Sequence, residues 1–156
     1  MRPDSAFRPG PAGLARRFTA AALVVVAMAI GAASEARAQA GDRFHLELNN
    51  VEDVDASCRI TFLAHNETET DFAETSYDVV VFDERGIVSQ RLILEFGRLP
   101  LGKTRVVQFL LERSCEGISR LLINGVEECV EETGASSDMC LDALVTSSRA
   151  DVQFGS

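Results

Sequence analysis

An all-β fold is predicted by three features of the sequence. Apolar and polar residues alternate over short runs, which is the two-residue period of a strand with one buried face. Gly, Pro and Asp interrupt these runs at regular intervals through residues 41–156, and no long segment follows the helical period. About seven such strands in one small domain favour two antiparallel sheets packed as an immunoglobulin-like β-sandwich.

The strands can be placed in order along the chain. In each run the residues expected to face the core are apolar, as are Phe44, Leu46 and Leu48 in the first run. The seven predicted strands are residues 43–51, 58–66, 75–86, 87–97, 103–112, 118–126 and 148–154. One short helical turn is predicted around Cys140, with Ser137 as its N-cap.

The N-terminal segment has the order of a secretory signal peptide. Basic residues ending in Arg16 and Arg17 precede an apolar run too short for a comfortable membrane span, and small residues follow up to Ala40. We predict cleavage after Ala40, which separates a signal peptide at 1–40 from one domain at 41–156. The alternative is a retained N-terminal anchor. The paired arginines are also typical of twin-arginine signals, so Sec and Tat export both remain open for this periplasmic or secreted protein.

The domain left after cleavage is acidic. Residues 41–156 have 10 Lys and Arg against 22 Asp and Glu, a formal net charge of −12. Such a charge repels phosphate backbones and anionic lipid, so we expect no nucleic-acid partner and no stable membrane span after cleavage. The 116 residues are enough to form a single core without a metal ion.

Residues 56–112 follow a recognisable order of motifs. An apolar strand ends at Asn66, the next ends at a turn formed by Phe82, Asp83 and Gly86, and a Pro and Gly turn precedes a Thr-containing strand. This order resembles the bacterial FxLYD-type domain, which tends to carry Tyr in the place of Phe82. It is also similar to small exported periplasmic proteins that have a twin-arginine-like leader. The resemblance implies an exported immunoglobulin-like sandwich without known catalytic residues.

The four cysteines of an exported chain predict two disulfides. The second strand starts at Cys58 and is expected to lie antiparallel to the fifth, which brings Cys58 beside Cys115. The last two strands are expected to form a hairpin-like pair that brings Cys129 beside Cys140. In the chain-entropy model these bonds stabilise the fold by about 4 and about 3 kcal/mol. Zinc sites and disulfide oxidoreductases usually need Cys-x-x-Cys pairs, whereas 56, 13 and 10 residues separate these cysteines.

Catalysis and metal binding receive little support from the sequence. His45 and His65 have outward parity on their strands and no nucleophile motif nearby, so we predict a non-enzyme without a cofactor. The polar segment 49–57 has oxygen donors, Glu52 to Asp55 among them, that suit calcium. It lacks the spacing and glycine of an EF-hand loop, so we interpret it as a solvated turn.

A second set of apolar residues faces away from the predicted core. Its members are Leu63, Val80, Phe82, Ile93, Val106 and Leu110. One face of a sandwich sheet normally meets water, so this set indicates a partner, self-association or a covering loop, unless the predicted parity is shifted by one residue. We therefore expect a non-enzymatic interaction or accessory module of the cell envelope that binds another envelope protein within a larger complex. The alternative is a small ligand- or calcium-binding protein that uses the acidic turn.

Overall fold

The computed structural model describes residues 42–156, so the predicted signal peptide at 1–40 lies outside the described residues. The strands are β1 (Phe44–Val54), β2 (Ser57–Asn66), β3 (Phe72–Phe82), β4 (Val88–Glu95), β5 (Thr104–Leu111), β6 (Arg120–Glu131), β7 (Leu144–Ser148) and β8 (Gln153–Gly155). A 3₁₀ turn spans Cys115–Gly117, and the short helix α1 spans Met139–Asp142. Sheet A has the strand order β5, β2, β1, β7, and sheet B has β4, β3, β6, β8. The predicted β-sandwich is confirmed, with eight strands.

The core follows the predicted alternation. The residues predicted to face inward on β1, β2 and β3 are all fully buried: Phe44, Leu46, Leu48, Cys58, Ile60, Phe62, Ala64, Tyr77, Val79 and Val81. This pattern is expected because successive side chains of a strand point to opposite faces of its sheet.

An aromatic cluster joins the two sheets inside the sandwich. The ring of Phe62 on β2 lies 5.5 Å from that of Phe96, 6.0 Å from that of Phe109 and 5.2 Å from that of Phe154, all measured between centroids. Each pair is close to edge-to-face, an arrangement that stabilises by about 0.5–1.5 kcal/mol beyond the area it buries. Because Phe62 and Phe109 belong to sheet A and Phe154 belongs to sheet B, the cluster packs the two sheets against each other.

The C-terminal segment differs from the prediction. A single strand over 148–154 is wrong, because β7 ends at Ser148 and β8 begins only at Gln153. The Ser148 hydroxyl donates to the backbone oxygens of Ala150 (3.1 Å) and Val152 (2.7 Å), which bends the chain as it crosses from sheet A to sheet B. β7 pairs in parallel with β1, and β8 pairs in parallel with β6. The expected hairpin-like pairing of the last two strands is therefore also wrong.

The predicted turn over residues 49–57 is shorter in the structure. β1 continues to Val54, because its ladder with β2 resumes after one bulge near Asn49. Only Asp55 and Ala56 form the turn, and Asp55 adopts a φ of 55°. Two-residue hairpin loops favour positive φ, and Asp adopts it more readily than most residues because its short side chain can form local hydrogen bonds.

Both disulfides have the pairing that the sequence predicts. Cys58 is bonded to Cys115, with Cα atoms 4.8 Å apart, and Cys129 is bonded to Cys140, with Cα atoms 5.9 Å apart. The first bond follows from the antiparallel pairing of β2 with β5, which sets Cys58 opposite Leu111. The second forms although the strands around it do not make a hairpin, because α1 carries Cys140 to the outgoing end of β6.

The buried phenol of Tyr77 connects β3 to the second disulfide. Its hydroxyl donates to the backbone oxygen of Cys140 at 2.7 Å. Burial raises the pKa of Tyr77 well above its ordinary value, so the phenol stays neutral and keeps its proton to donate. The helix that carries Cys140 is thereby tied to the centre of sheet B.

Asn66 joins two loops at one end of the sandwich. Its amide nitrogen donates to the backbone oxygens of Thr70 (2.8 Å) and Leu99 (2.9 Å). Its amide oxygen accepts from the backbone nitrogen (3.0 Å) and hydroxyl (2.7 Å) of Thr68. The nitrogen of Gly102, which adopts a φ of 66°, donates to the backbone oxygen of Asn66 at 2.7 Å. This fully buried residue therefore positions the loop that leads into β5.

The carboxylate of Asp78 forms a polar cluster on the outer face of sheet B. Nε and Nη2 of Arg91 donate to its two oxygens at 2.6 Å each, and Nδ2 of Asn124 donates to Oδ2. These hydrogen bonds, those from Arg91 first, lower the pKa of Asp78. The cluster links the three strands β4, β3 and β6 across this face.

Replacing Asn66 by Ala should lower the free energy of unfolding by about 3 kcal/mol, because it leaves several buried polar groups without partners, at about 1–3 kcal/mol each. Urea unfolding with the disulfides intact measures the loss. Asn50→Ala, at an exposed position on β1, is the matched control and should cost less than about 0.5 kcal/mol. Equal losses in the two variants would contradict the role given to Asn66.

The stability should depend on pH through Asp78. Because folding lowers the pKa of this carboxyl, its contribution is present above the unfolded pKa of about 3.9 and is lost as the pH falls through the folded pKa. The wild type should therefore lose more stability than Asp78→Asn between about pH 5 and about pH 3. Urea midpoints at the two pH values test this, and parallel losses in both proteins would count against it.

Candidate docking surface

The structure divides the predicted outward-facing apolar set between two faces. Leu63, Val106 and Leu110 lie on the outer face of sheet A, where Leu63 and Val106 are directly opposite each other on β2 and β5. The other three, Val80, Phe82 and Ile93, lie on the outer face of sheet B. The six residues therefore do not form one continuous surface.

The most exposed members of this set lie on edge strands. Val106 is 62% exposed, Leu110 is 60% exposed and Ile93 is 44% exposed, whereas the other three are half-buried. The guanidinium of Arg120 lies 5.4 Å from the centroid of the Phe82 ring, so a cation–π contact covers that ring. The exposed apolar surface thus concentrates on β4 and β5.

A groove separates these two strands and opens into the side of the sandwich. It has a volume of 350 Å³, and we call it the edge groove. Its lining residues are Gln90, Leu92, Ile93, Leu94, Phe109, Leu110, Leu111 and Glu112. Two of them, Leu94 and Leu111, are buried core residues, so the groove reaches the hydrophobic interior. Near one end, Nη1 of Arg113 donates to the hydroxyl of Ser89 at 2.6 Å and joins the flanking segments.

Each of the two strands has one free edge. In residues 42–156, β5 pairs only with β2, and β4 pairs only with β3. The outer edge of each strand therefore presents backbone N–H and C=O groups that no neighbouring strand satisfies. An apolar groove beside unpaired backbone groups is a surface on which a further strand can pack.

Positive charge is concentrated in the same region. Residues 85–113, which comprise β4, β5 and part of their adjoining loops, hold six basic and two acidic side chains, a net charge of +4, and Asp83 and Glu84 precede this range in the loop before β4. The rest of 41–156 holds four basic and 20 acidic side chains, a net charge of −16. The basic residues of the first group are Arg85, Arg91, Arg98, Lys103, Arg105 and Arg113. Arg85, Arg91 and Arg98 form salt bridges with Asp83, Asp78 and Glu132, which lie outside this range, and the groove lining itself holds one charged side chain, Glu112. The remaining basic side chains, Lys103, Arg105 and Arg113, lie on and beside β5, where residues 103–113 have a net charge of +2.

The oxygen donors proposed for calcium are dispersed in the structure. Glu52 pairs with Arg59 at 3.3 Å, and Oδ1 of Asp53 accepts a hydrogen bond from the backbone nitrogen of Cys115 at 2.8 Å. Glu52 and Asp53 are consecutive residues of β1, so their side chains point to opposite faces, and Asp55 lies alone in the turn. The expectation of a single acidic turn over these residues is therefore wrong.

A pair of histidines forms a second cluster, which the sequence does not reveal. His45 and His65 lie directly opposite each other, and their Nε2 atoms lie 3.2 and 3.5 Å from the two oxygens of Glu67. The hydroxyl of Thr104 lies 2.5 Å from Nδ1 of His65. Across the described part of the chain, no three His, Cys, Asp or Glu side chains are arranged to hold a metal ion. The cluster is a polar patch on the outer face of sheet A.

Comparisons with known proteins support the fold and leave the function open. No protein-family model matches the chain, and no curated protein matches it. Among solved structures, the chain is similar to IrmA from Escherichia coli, with a TM-score of 0.53 and 13% sequence identity. The match covers 67% of this chain and 91% of IrmA. At this identity the similarity shows a shared β-sandwich fold alone.

Proposed function

We propose that this protein is an exported, non-enzymatic interaction module of the cell envelope that binds another envelope protein as part of a larger complex. The observation that carries the proposal is the edge groove, where exposed apolar side chains line two neighbouring free strands. Isolated exposed apolar residues are ordinary, but exposed apolar side chains beside a groove that reaches the core are typical of an interaction site.

Export is supported by the sulfur chemistry. Both disulfides lie within the described residues, and such bonds persist in oxidising compartments. The predicted signal peptide and the resemblance to the FxLYD-type domain point in the same direction. In the part of the chain that the structure describes, none of the helices has the length and hydropathy of a membrane span.

The edge groove can supply useful binding energy. Fully burying a Val, Ile or Leu side chain stabilises by about 1.5–3 kcal/mol, and Ile93, Val106 and Leu110 are each exposed enough to contribute part of this. A stable interface buries about 800 Å² on each partner, which is more than three side chains provide. The partner is therefore expected to extend along the strands on both sides of the groove.

The cluster of His45, His65 and Glu67 gives less support for a catalytic function than the edge groove gives for a binding function. Hydrolytic catalysis needs an imidazole free to accept a proton from a nucleophile. Nδ1 of His65 lies 2.5 Å from the hydroxyl of Thr104, and the Nε2 atoms of His45 and His65 face the carboxylate of Glu67. The backbone of β2 around His65 is paired with β1 and β5, so its N–H groups are not available to stabilise an oxyanion. Hydrogen bonding to Glu67 accounts for this arrangement without a reaction.

The proposal is tested by a substitution in the groove. Leu110→Asp places a charge on a strand position that is already 60% exposed, so the fold should persist while the partner is lost. The measurement is in vivo cross-linking in the native envelope followed by affinity purification. We expect the specifically cross-linked protein to be reduced at least about tenfold, a loss of about 1.4 kcal/mol or more in binding.

Val145→Asp is the matched control for this experiment. Val145 is 41% exposed on β7, the opposite edge strand of the same sheet, so its replacement should leave the cross-linked protein unchanged. Phe82→Asp examines the outer face of sheet B. If Phe82→Asp removes the partner and Leu110→Asp does not, the edge groove is not the binding surface.

A further inference from the structure

We propose that the free edge of β5 binds its partner by strand addition, and that the added strand is an acidic, apolar segment of that partner. The inference rests on the proposed function and goes further by naming the binding mode and the chemistry of the ligand. In this mode the backbone of an extended segment continues sheet A beyond β5, and side-chain contacts select the segment.

The geometry of β5 distinguishes it from the other edge strands. β5 has eight residues and pairs with β2 from Cys58–Leu111 to His65–Thr104 without any shift in register. β4 is equally long, but its ladder with β3 is interrupted between Val81 and Phe82. β7 and β8 have only five and three residues. Proteins commonly protect an edge by shortening it or by a bulge, and β5 has neither protection.

The side chains of β5 provide two rows of contacts for an added strand. Val106 and Leu110 share the outer face of sheet A, with Leu63 beside Val106. Phe109 has the opposite parity and lines the edge groove together with Ile93. Side chains of neighbouring strands meet in directly opposed pairs, so apolar residues of an added strand could contact either row.

Charge decides which strand fits this edge. A second copy that paired through its own β5 would bring together two segments of net charge +2, residues 103–113 of each copy, and this repulsion opposes the pairing. An acidic segment is attracted by the same charges. Polyanions such as nucleic acid match the charge but have no peptide backbone to extend the sheet. An extended peptide with acidic and apolar side chains can pair with the free backbone groups of β5, contact its apolar side chains and complement its positive charge.

The test is amide hydrogen exchange measured by NMR on the isotopically labelled protein, purified after export with both disulfides formed. The probe is a capped peptide of about nine residues with alternating Val and Glu. Only every second N–H of an edge strand points outward, so strand addition should slow exchange at alternate amides of β5 by about tenfold or more.

A peptide of alternating Val and Lys is the charge control and should bind more weakly at low salt, with the difference shrinking as salt is added.

Several results would overturn the inference. One is the absence of slowed exchange at about 1 mM Val–Glu peptide, a concentration that detects even weak sites. A second is slowed amide exchange at successive residues of β5 and not at alternate ones. A third is binding of the Val–Lys peptide that equals or exceeds that of the Val–Glu peptide, and a fourth is the same slowing of exchange by double-stranded DNA. Alternate slowing that grows with protein concentration in the absence of peptide would identify a second copy as the occupant. If Leu110→Asp removes the cross-linked partner but the peptide does not slow exchange at alternate amides of β5, strand addition is wrong and the proposed function stands. If Leu110→Asp leaves the cross-linked partner unchanged, the proposed function itself is wrong.

Discussion

The buried amide of Asn66 is the constraint on which the geometry of the candidate surface depends. A buried amide group is costly unless all its hydrogen bonds are made, and here the partners come from the loop after β2 and from the loop that precedes β5. The position of β5 at the edge of sheet A is therefore tied to a polar contact, in addition to the aromatic packing. The strand that we propose as a docking edge can remain exposed on one side because it is anchored at its start by this network and at its end by the Cys58–Cys115 disulfide.

Much of the fold could be predicted because its core strands obey a two-residue period. The burial of Tyr77, Val79 and Val81 follows directly from alternation, and the Cys58–Cys115 bond follows from the antiparallel order of two strands. The C-terminal strands could not be predicted in the same way. β7 has only five residues, and it pairs in parallel with β1, which lies almost a hundred residues earlier in the chain. Residues 150–154 alternate between buried and exposed because the chain bends from one sheet to the other there. In the sequence, this alternation cannot be distinguished from that of a strand.

The candidate surfaces were harder to predict than the core. A period of two assigns a residue to the outside of its own sheet, but it does not say which sheet or which edge. Val106 and Ile93 thus look equivalent in the sequence although they belong to different sheets. The contact between His45 and His65 could not be predicted for a different reason, a bulge in β1. The bulge near Asn49 shifts the register of β1 by one residue, and without it His45 would lie opposite Asn66 and not opposite His65.

The parallel pairings of β7 and β8 have a consequence for the order in which this chain can fold. Among the strands of residues 42–156, β1 is the first in chain order, and its second neighbour, β7, is the last but one. Until the C-terminal residues emerge, both sheets lack a strand and β1 and β6 have open edges. Contacts between distant parts of a chain form late because loop closure has to precede them. The sandwich is therefore expected to close only when the whole chain is available.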